Sequence, residues 1–264
     1  MNPLVSIILP TYNWHHDRLS QSIESVLWQS YKNFELIIIN DASTNDIEAT
    51  ILKYQQQDSR IIYLKNEKNL QLTNTLNKGI QHAKWIYIAR IDDDDIRCNP
   101  DKLQKQVDFM RSHPDYGLCG TSTILINESW VKIGETKTRE TDQELRNHLL
   151  QSNQFAHTSI IIRKSILEKV WPYDPFFNKS EDYELRCRIG TVSKFTNLPI
   201  YWIKYRINTQ WVSQKNYWKQ KRLSFRVFRK YRKEYPSFWK ALILRIGDYP
   251  LSEKIKNSIL KYSK

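Results

Sequence analysis

Residues 85–95 read Trp-Ile-Tyr-Ile-Ala-Arg-Ile-Asp-Asp-Asp-Asp. An apolar run enters four carboxylates without a break. This pattern predicts a buried strand over Trp85–Ile91, with Asp92–Asp95 as the loop at its carboxyl end. Toward the N-terminus the same alternation repeats. Val5–Leu9 predicts a strand stopped by Pro10. Asp17–Gln29 places Leu19, Ile23, Val26 and Leu27 at helical spacing. Phe34–Ile39 is a second strand, and Asp46–Tyr54 a helix with Asp46 as its N-cap. Ile61–Leu64 is a third strand, and Asn74–Ala83 is helical. Strands this apolar, separated by helices, imply an α/β fold with a mostly parallel sheet covered on both faces.

Ligands bind such sheets at the carboxyl ends of the strands. Three polar segments fall there: Pro10–Asn13, Asn40–Asp46 and Asp92–Asp95. Four adjacent carboxylates repel one another, and beside a buried strand they require a positive partner. A divalent cation with oxygen ligands serves; Mg²⁺ takes one or two protein carboxylates and completes its shell with phosphate and water. In an extended chain Asp92 and Asp94 point the same way, so an Asp-x-Asp pair can hold a metal–diphosphate from one side. Arg90, just before the run, is placed to neutralise part of it. A calcium loop is excluded by the missing Gly and Glu positions.

Composition narrows the classes. The 264 residues are 40% hydrophobic and 26% charged, which excludes wholesale disorder. Of six glycines the first is Gly79, so no Gly-rich phosphate loop exists in the N-terminal third. The odd set Cys98, Cys119 and Cys187 lacks metal-site spacing and fits a reducing, cytoplasmic compartment. No apolar run is long enough for a transmembrane helix. The opening MNPLVSIILPTYN lacks the basic region and cleavage site of a signal peptide. Charge is uneven: residues 204–264 hold 17 Lys/Arg against three Asp/Glu, whereas residues 1–203 hold 24 against 25. A near-neutral body with a basic tail predicts a catalytic or binding domain plus a segment that meets an anionic surface.

Taken together, VSIILPTYN (Val5–Asn13), FELIIINDASTND (Phe34–Asp46), ARIDDDDI (Ala89–Ile96) followed by Pro100 and KLQKQ, His157-Thr-Ser with Ile162–Ser165, EDYEL (Glu181–Leu185) and Tyr205-Arg206 resemble glycosyltransferase family 2, inverting enzymes of GT-A fold. The ARIDDDDI version resembles a bacterial subgroup that builds lipopolysaccharide, capsule or related surface glycans. The resemblance implies a nucleotide-sugar donor, UDP-linked, a glycan or lipid-linked acceptor, and Mn²⁺ or Mg²⁺. Thr11, Tyr12, Asn13, Asp41, Asp92 and Asp93 would bind the nucleotide sugar, with Asp41 accepting from the uracil N3–H. Asp92 and Asp94 would form the metal shell. Asp182 would be the general base; an acidic pair at a helix start, favoured by the dipole, is the structural reading of Glu181-Asp182. His157, Glu181 and Arg206 would contact acceptor or diphosphate, His157 and Arg206 being equally readable as structural residues. Three positions depart from the family pattern: Gln71 where a glycine is common, Asn208 where a histidine is common, and Asn40 for a first Asp. Residues 1–99 would form the nucleotide-sugar half, 100–205 the acceptor half and 206–264 the tail.

On a helical projection of 215–235, Lys215, Lys219, Arg222, Arg226, Arg229, Lys230 and Lys233 share an arc of about 100°. Tyr217, Trp218, Phe225, Val227, Phe228, Tyr231 and Tyr235 lie mainly opposite. Pro236 ends this helix, and Ser237–Ile246 begins a second amphipathic one. This pattern predicts an interfacial helix on an anionic membrane through 215–246, hence a peripheral protein on the cytoplasmic face. The competing arrangement packs the aromatic face onto the body. Two other classes share these features. A nucleic-acid binder would use the tail, but its body should also be basic, so no nucleic acid is expected. A carbohydrate-binding or scaffolding relative with little catalysis would keep the fold and lose key carboxylates.

Overall fold

The computed structural model describes residues 5–207 and 217–247. Its strands are β1 (Val5–Thr11), β2 (Phe34–Asn40), β3 (Ile61–Lys65), β4 (Tyr87–Arg90), β5 (Ile96–Arg97), β6 (Tyr116–Ile126), β7 (Lys132–Thr136), β8 (Ile161–Arg163) and β9 (Lys194–Arg206). Its helices are α1 (His16–Leu27), α2 (Ile47–Gln57), α3 (Gln71–His82), α4 (Lys102–Ser112), α5 (Asp142–Leu149), α6 (Lys164–Val170), α7 (Glu181–Gly190), α8 (Tyr217–Lys230) and α9 (Phe238–Gly247). One sheet runs in the order β3-β2-β1-β4-β8-β6-β9-β5, with β7 on β6. The first four strands in that order are parallel, as the βα alternation requires. Beyond β4 the sheet is mixed: β8 runs antiparallel to β4 and β6, while β6 and β9 are parallel.

Side chains alternate across β1 and β2 and fill two cores. Ile7, Leu9, Leu36 and Ile38 pack with Leu19, Ile23 and Val26 of α1 and Leu103 and Val107 of α4. Ile8, Ile37 and Ile39 pack on the other face with Leu76 and Ile80 of α3. Gly79 lets α3 approach: a Cβ there would lie 2.7 Å from Ile8 Cγ2 and 3.0 Å from Ile39 Cδ1.

The strand over Val5–Leu9 does not stop at Pro10. It pairs with β2 through Thr11↔Asn40, whereas its pairing with β4 ends at Ile8↔Arg90. Thr11 O accepts from Asp41 N toward β2, and Ile8 O accepts from Ile91 N on the other side. Pro10 shares the parity of Ile8 and so faces β4. It lacks the donor that the next β4 rung needs, and the two strands part there.

The tail helices belong to the body. Leu223, Val227, Phe228, Tyr231, Tyr235 and Ala241 are buried in the same core as α3 and α7. Glu184 of α7, fully buried, accepts from Lys230 Nζ (2.7 Å) and Tyr231 Oη (2.7 Å) and pairs with Arg188 (2.7 Å). The aromatic face of α8 is therefore used in packing. Lys215, Tyr217's side chain, Ile246's side chain and the departure at Asn208 lie outside what is described. Among the described residues no helix is long and apolar enough to cross a membrane.

Candidate active site

Where β1 and β4 part, the carboxyl ends of β1, β2 and β4 open into a cleft of about 730 Å³. Thr11, Tyr12 and Asp41 line it from the ends of β1 and β2. Asp92, Asp93 and Asp94 form its floor loop, and His157, Glu181 and Asp182 come from the other half. Thr11 and Asp182, 171 positions apart in sequence, thus line one cavity. Asn13 and Arg206 are not in the lining.

Asp41 is buried and anchored. Its Oδ1 accepts from Asn66 Nδ2 (2.7 Å) and Leu70 N (2.8 Å), which leaves Oδ2 for a ligand. Asn13 shapes the neighbouring loop: its side-chain oxygen accepts from Thr44 N (2.7 Å), and its backbone N–H donates to Ser43 Oγ (2.9 Å). Asn40 accepts from Ser43 N (2.8 Å) through its own carbonyl oxygen, a turn contact that a carboxylate could equally make.

The acidic loop is held by two buried arginines. Arg90 donates both terminal nitrogens to Asp92, at 2.9 and 2.5 Å, in a fork-to-fork pair. Arg206 works from beneath. Its backbone N–H donates to Asp95 Oδ1 (3.0 Å), its Nε to Asp94 O (3.3 Å) and its Nη1 to Glu128 O (3.2 Å), and it stacks over Trp130 at 4.1 Å. Of its two sequence-level readings, the contacts made are those of a lock on the fold. The loop keeps excess negative charge. Burial, then Asp92, pushes the Asp94 carboxyl up to about 7, and burial with Asp94 and Asp92 raises Asp93 and Asp95.

Among the described residues no three His, Cys, Asp or Glu side chains cluster as a self-contained metal site. Asp92 and Asp94, both on the cleft, are hard oxygen donors in surplus negative charge. They fit Mn²⁺ or Mg²⁺ whose remaining ligands are diphosphate oxygens and water.

Also in the lining, Asp182 sits in the first turn of α7. Its Oδ2 accepts from Asn153 Nδ2 (2.8 Å) and from Arg186 Nη1 (2.7 Å), one turn along the helix and buried. Glu181 Oε2 accepts from Lys179 N (2.6 Å). His157 Nε2 shares a 2.7 Å hydrogen bond with Tyr173 Oη. Burial, Arg90 and Arg186 hold this imidazole well below its usual range, and so neutral.

Gln71, Lys179 and Gln220 also line the cleft and were not foreseen as site residues. Gln71 has φ 65°, the left-handed region that glycine tolerates best, which explains the glycine pattern it departs from. Its side-chain carbonyl accepts from Asn178, tying α3 to the segment before α7. That departure was the available signal. Lys179, at φ 89°, and Gln220 of α8 gave none.

Strand ends and an acidic loop lining one cleft with a carboxylate from a separate helix match the arrangement that the resemblance to a GT-A glycosyltransferase implies. The family model for glycosyl transferase family 2 matches residues 6–171, and the chain belongs to that family. An uncharacterised glycosyltransferase of Methanocaldococcus jannaschii is 35% identical over 209 residues, 78% of this chain and 71% of that one. An Escherichia coli protein named UDP-Glc:α-D-GlcNAc-diphosphoundecaprenol β-1,3-glucosyltransferase WfgD is 31% identical over 222 residues, 83% of each chain. Among solved structures, the mannosyltransferase PcManGT of Pyrobaculum calidifontis, in complex with GDP-Man and Mn²⁺, superposes with TM-score 0.64 at 14% identity, covering 98% of this chain and 68% of that one. This likeness shows the fold.

Proposed function

We propose that the cleft transfers a sugar from a UDP-linked donor to a hydroxyl of a glycan or lipid-linked acceptor, with inversion, in surface-polysaccharide assembly. The observation that carries this reading is the joint lining of one cleft by Asp92 and Asp94 and by Asp182 on a separate element. The UDP-glucose donor and diphosphoundecaprenol-linked acceptor in the name of the E. coli relative support the substrate class.

Asp41 Oδ2 accepts the uracil N3–H, while Asn66 and the Leu70 amide keep the carboxylate in place. Asp92 and Asp94 would hold Mn²⁺ or Mg²⁺, which when bound supplies Lewis-acid stabilisation of the departing diphosphate. Asp182 takes the acceptor hydroxyl proton as the new C–O bond forms and the bond to the diphosphate breaks. Asn153 and Arg186 hold it oriented. A single displacement from the face opposite the leaving group inverts the anomeric centre. Neutral His157, fixed by Tyr173, gives the cleft a polar wall without adding charge.

The test is thermal unfolding with UDP or GDP, with and without Mn²⁺, followed by NMR of the anomeric proton in the transfer product. UDP with Mn²⁺ should raise the unfolding temperature by mass action, and GDP should do so less. Stabilisation by neither nucleotide, or a product of retained configuration, would overturn the reading. Nucleotide binding without any turnover would identify the non-catalytic relative.

A further inference from the structure

Packing consumes the apolar face of α8 and leaves a second face exposed. Trp218, Arg222, Arg226 and Arg229 follow one another at four, four and three residues, which places them on one stripe. All are exposed, Trp218 at 60%. Arg222, Arg226 and Arg229 have no carboxylate partner among the described residues. By contrast, Lys230 is spent on Glu184 and Arg245 donates to Leu150 O (2.8 Å) and Tyr183 Oη (2.9 Å). The stripe continues onto the body: the Arg226 guanidinium lies 5.3 Å from the ring centre of Phe176, itself 61% exposed. Unpaired arginines with exposed aromatic rings beside them form a patch that is both cationic and apolar.

The same helix meets the cleft on another face. Gln220, in the first turn of α8, lines the cavity, and its carbonyl accepts from Ser180 Oγ (3.3 Å), directly before Glu181 and Asp182. The helix that carries the stripe therefore starts beside the proposed base, with Gln220 facing the cleft and the stripe facing away from it.

We infer that this patch docks the protein on an anionic lipid leaflet, with Trp218 and Phe176 at the headgroup level. The occupant follows from chemistry. Anionic headgroups complement unpaired arginines, and aromatic rings partition to the interface. The binding face is this arginine–aromatic stripe, and not the aromatic face of an in-plane helix, because Val227, Phe228 and Tyr231 are already buried. This binding does not depend on the sugar-transfer reading.

The experiment is co-sedimentation of the full chain with phosphatidylglycerol vesicles and with phosphatidylcholine vesicles, at low and high salt. The proteins compared are wild type, Arg222→Gln/Arg226→Gln/Arg229→Gln and Phe176→Ser/Trp218→Ser. Each cation near an anionic surface contributes about fivefold in partitioning, so the triple variant should bind about 10²-fold more weakly. Wild-type binding should require the anionic lipid and fall with salt. The aromatic variant should lose the fraction that survives high salt. Mn²⁺-dependent stabilisation by UDP, measured on the same samples, should be equal in all three, which verifies folding and separates this test from that of the donor site. Equal partitioning of wild type and triple variant, equal binding to both lipids, or retention on RNA or heparin but not on vesicles would each overturn the inference.

Discussion

Asp182 carries its charge between an amide and a buried guanidinium, and this arrangement sets its expected behaviour. Asp182→Asn keeps the shape and an oxygen for Arg186 but cannot take a proton. Turnover should fall by about 10²–10⁴, with UDP affinity unchanged by calorimetry. A parallel fall in affinity would make Asp182 a donor-site or structural residue. Asp94 lies in a loop of repelling carboxylates, so Asp94→Ala should leave the unfolding temperature of the ligand-free protein the same or higher. The Mn²⁺-dependent gain with UDP should vanish, and its persistence would remove Asp94 from the metal shell. His157 is a pH device by its burial. Its folded pKa lies well below the unfolded value, so the unfolded chain takes the proton first. The stability it contributes is complete above about pH 6.5 and is lost by about 1.4 kcal/mol per pH unit as pH falls below that. Because the raised carboxyls of Asp93, Asp94 and Asp95 contribute with opposite sign in the same window, the His157 contribution is read as the difference in slope between wild type and His157→Gln in urea unfolding between pH 7.5 and 5.5. These residues could be picked out one by one in the sequence, but their partners could not. Nothing local links Asn153 or Arg186 to Asp182, or Tyr173 to His157.

At the scale of elements, β1 and α3 show how local chemistry opens the site. Pro10 ends the β1–β4 ladder while β1–β2 continues, and the cleft occupies the resulting gap. On the same strand, Ile8 packs against α3 at Gly79. Gly79→Ala would improve helix propensity, yet its methyl would sit 2.7 Å from Ile8 Cγ2. Overpacking of this kind costs about 1–3 kcal/mol, so chemical denaturation should show a net loss. A gain would mean that α3 can shift outward at no expense. The strands and helices of this half were legible because each buried strand is an apolar run and each helix has one apolar face. The sequence reading extended the fourth strand over Trp85–Ile91, but pairing is confined to Tyr87–Arg90, because register with β1 and β8 sets its length. β6 and β9, long and partly polar, carried no comparable signal.

Across the whole molecule, the helices α8 and α9 of the basic C-terminal segment are part of the body. Phe228 is fully buried and stacks on Phe238 at 4.9 Å, and Tyr235 Oη donates to Cys187 O (2.6 Å) in α7. Phe228→Ala should therefore cost about 3–5 kcal/mol in equilibrium unfolding of the entire chain, and an unchanged midpoint would show α8 to be dispensable. Because α7 bears Asp182 at its start, the same loosening should lower turnover more than UDP affinity. What the sequence by itself determined is the α/β class, the three polar strand ends, the acidic loop and the separation of charge between body and tail. Each of these rests on local composition and periodicity, which a short window contains. Only the tertiary structure decided that Arg206 and Asn13 brace the site from outside its lining, that Gln71 and Gln220 complete the cleft, and that the aromatic face of α8 is buried while its arginine stripe is exposed. Those outcomes depend on which distant surfaces meet. An amphipathic helix satisfies its apolar face equally well against a protein core or a membrane, and the choice is made by the partner surface that the rest of the fold presents.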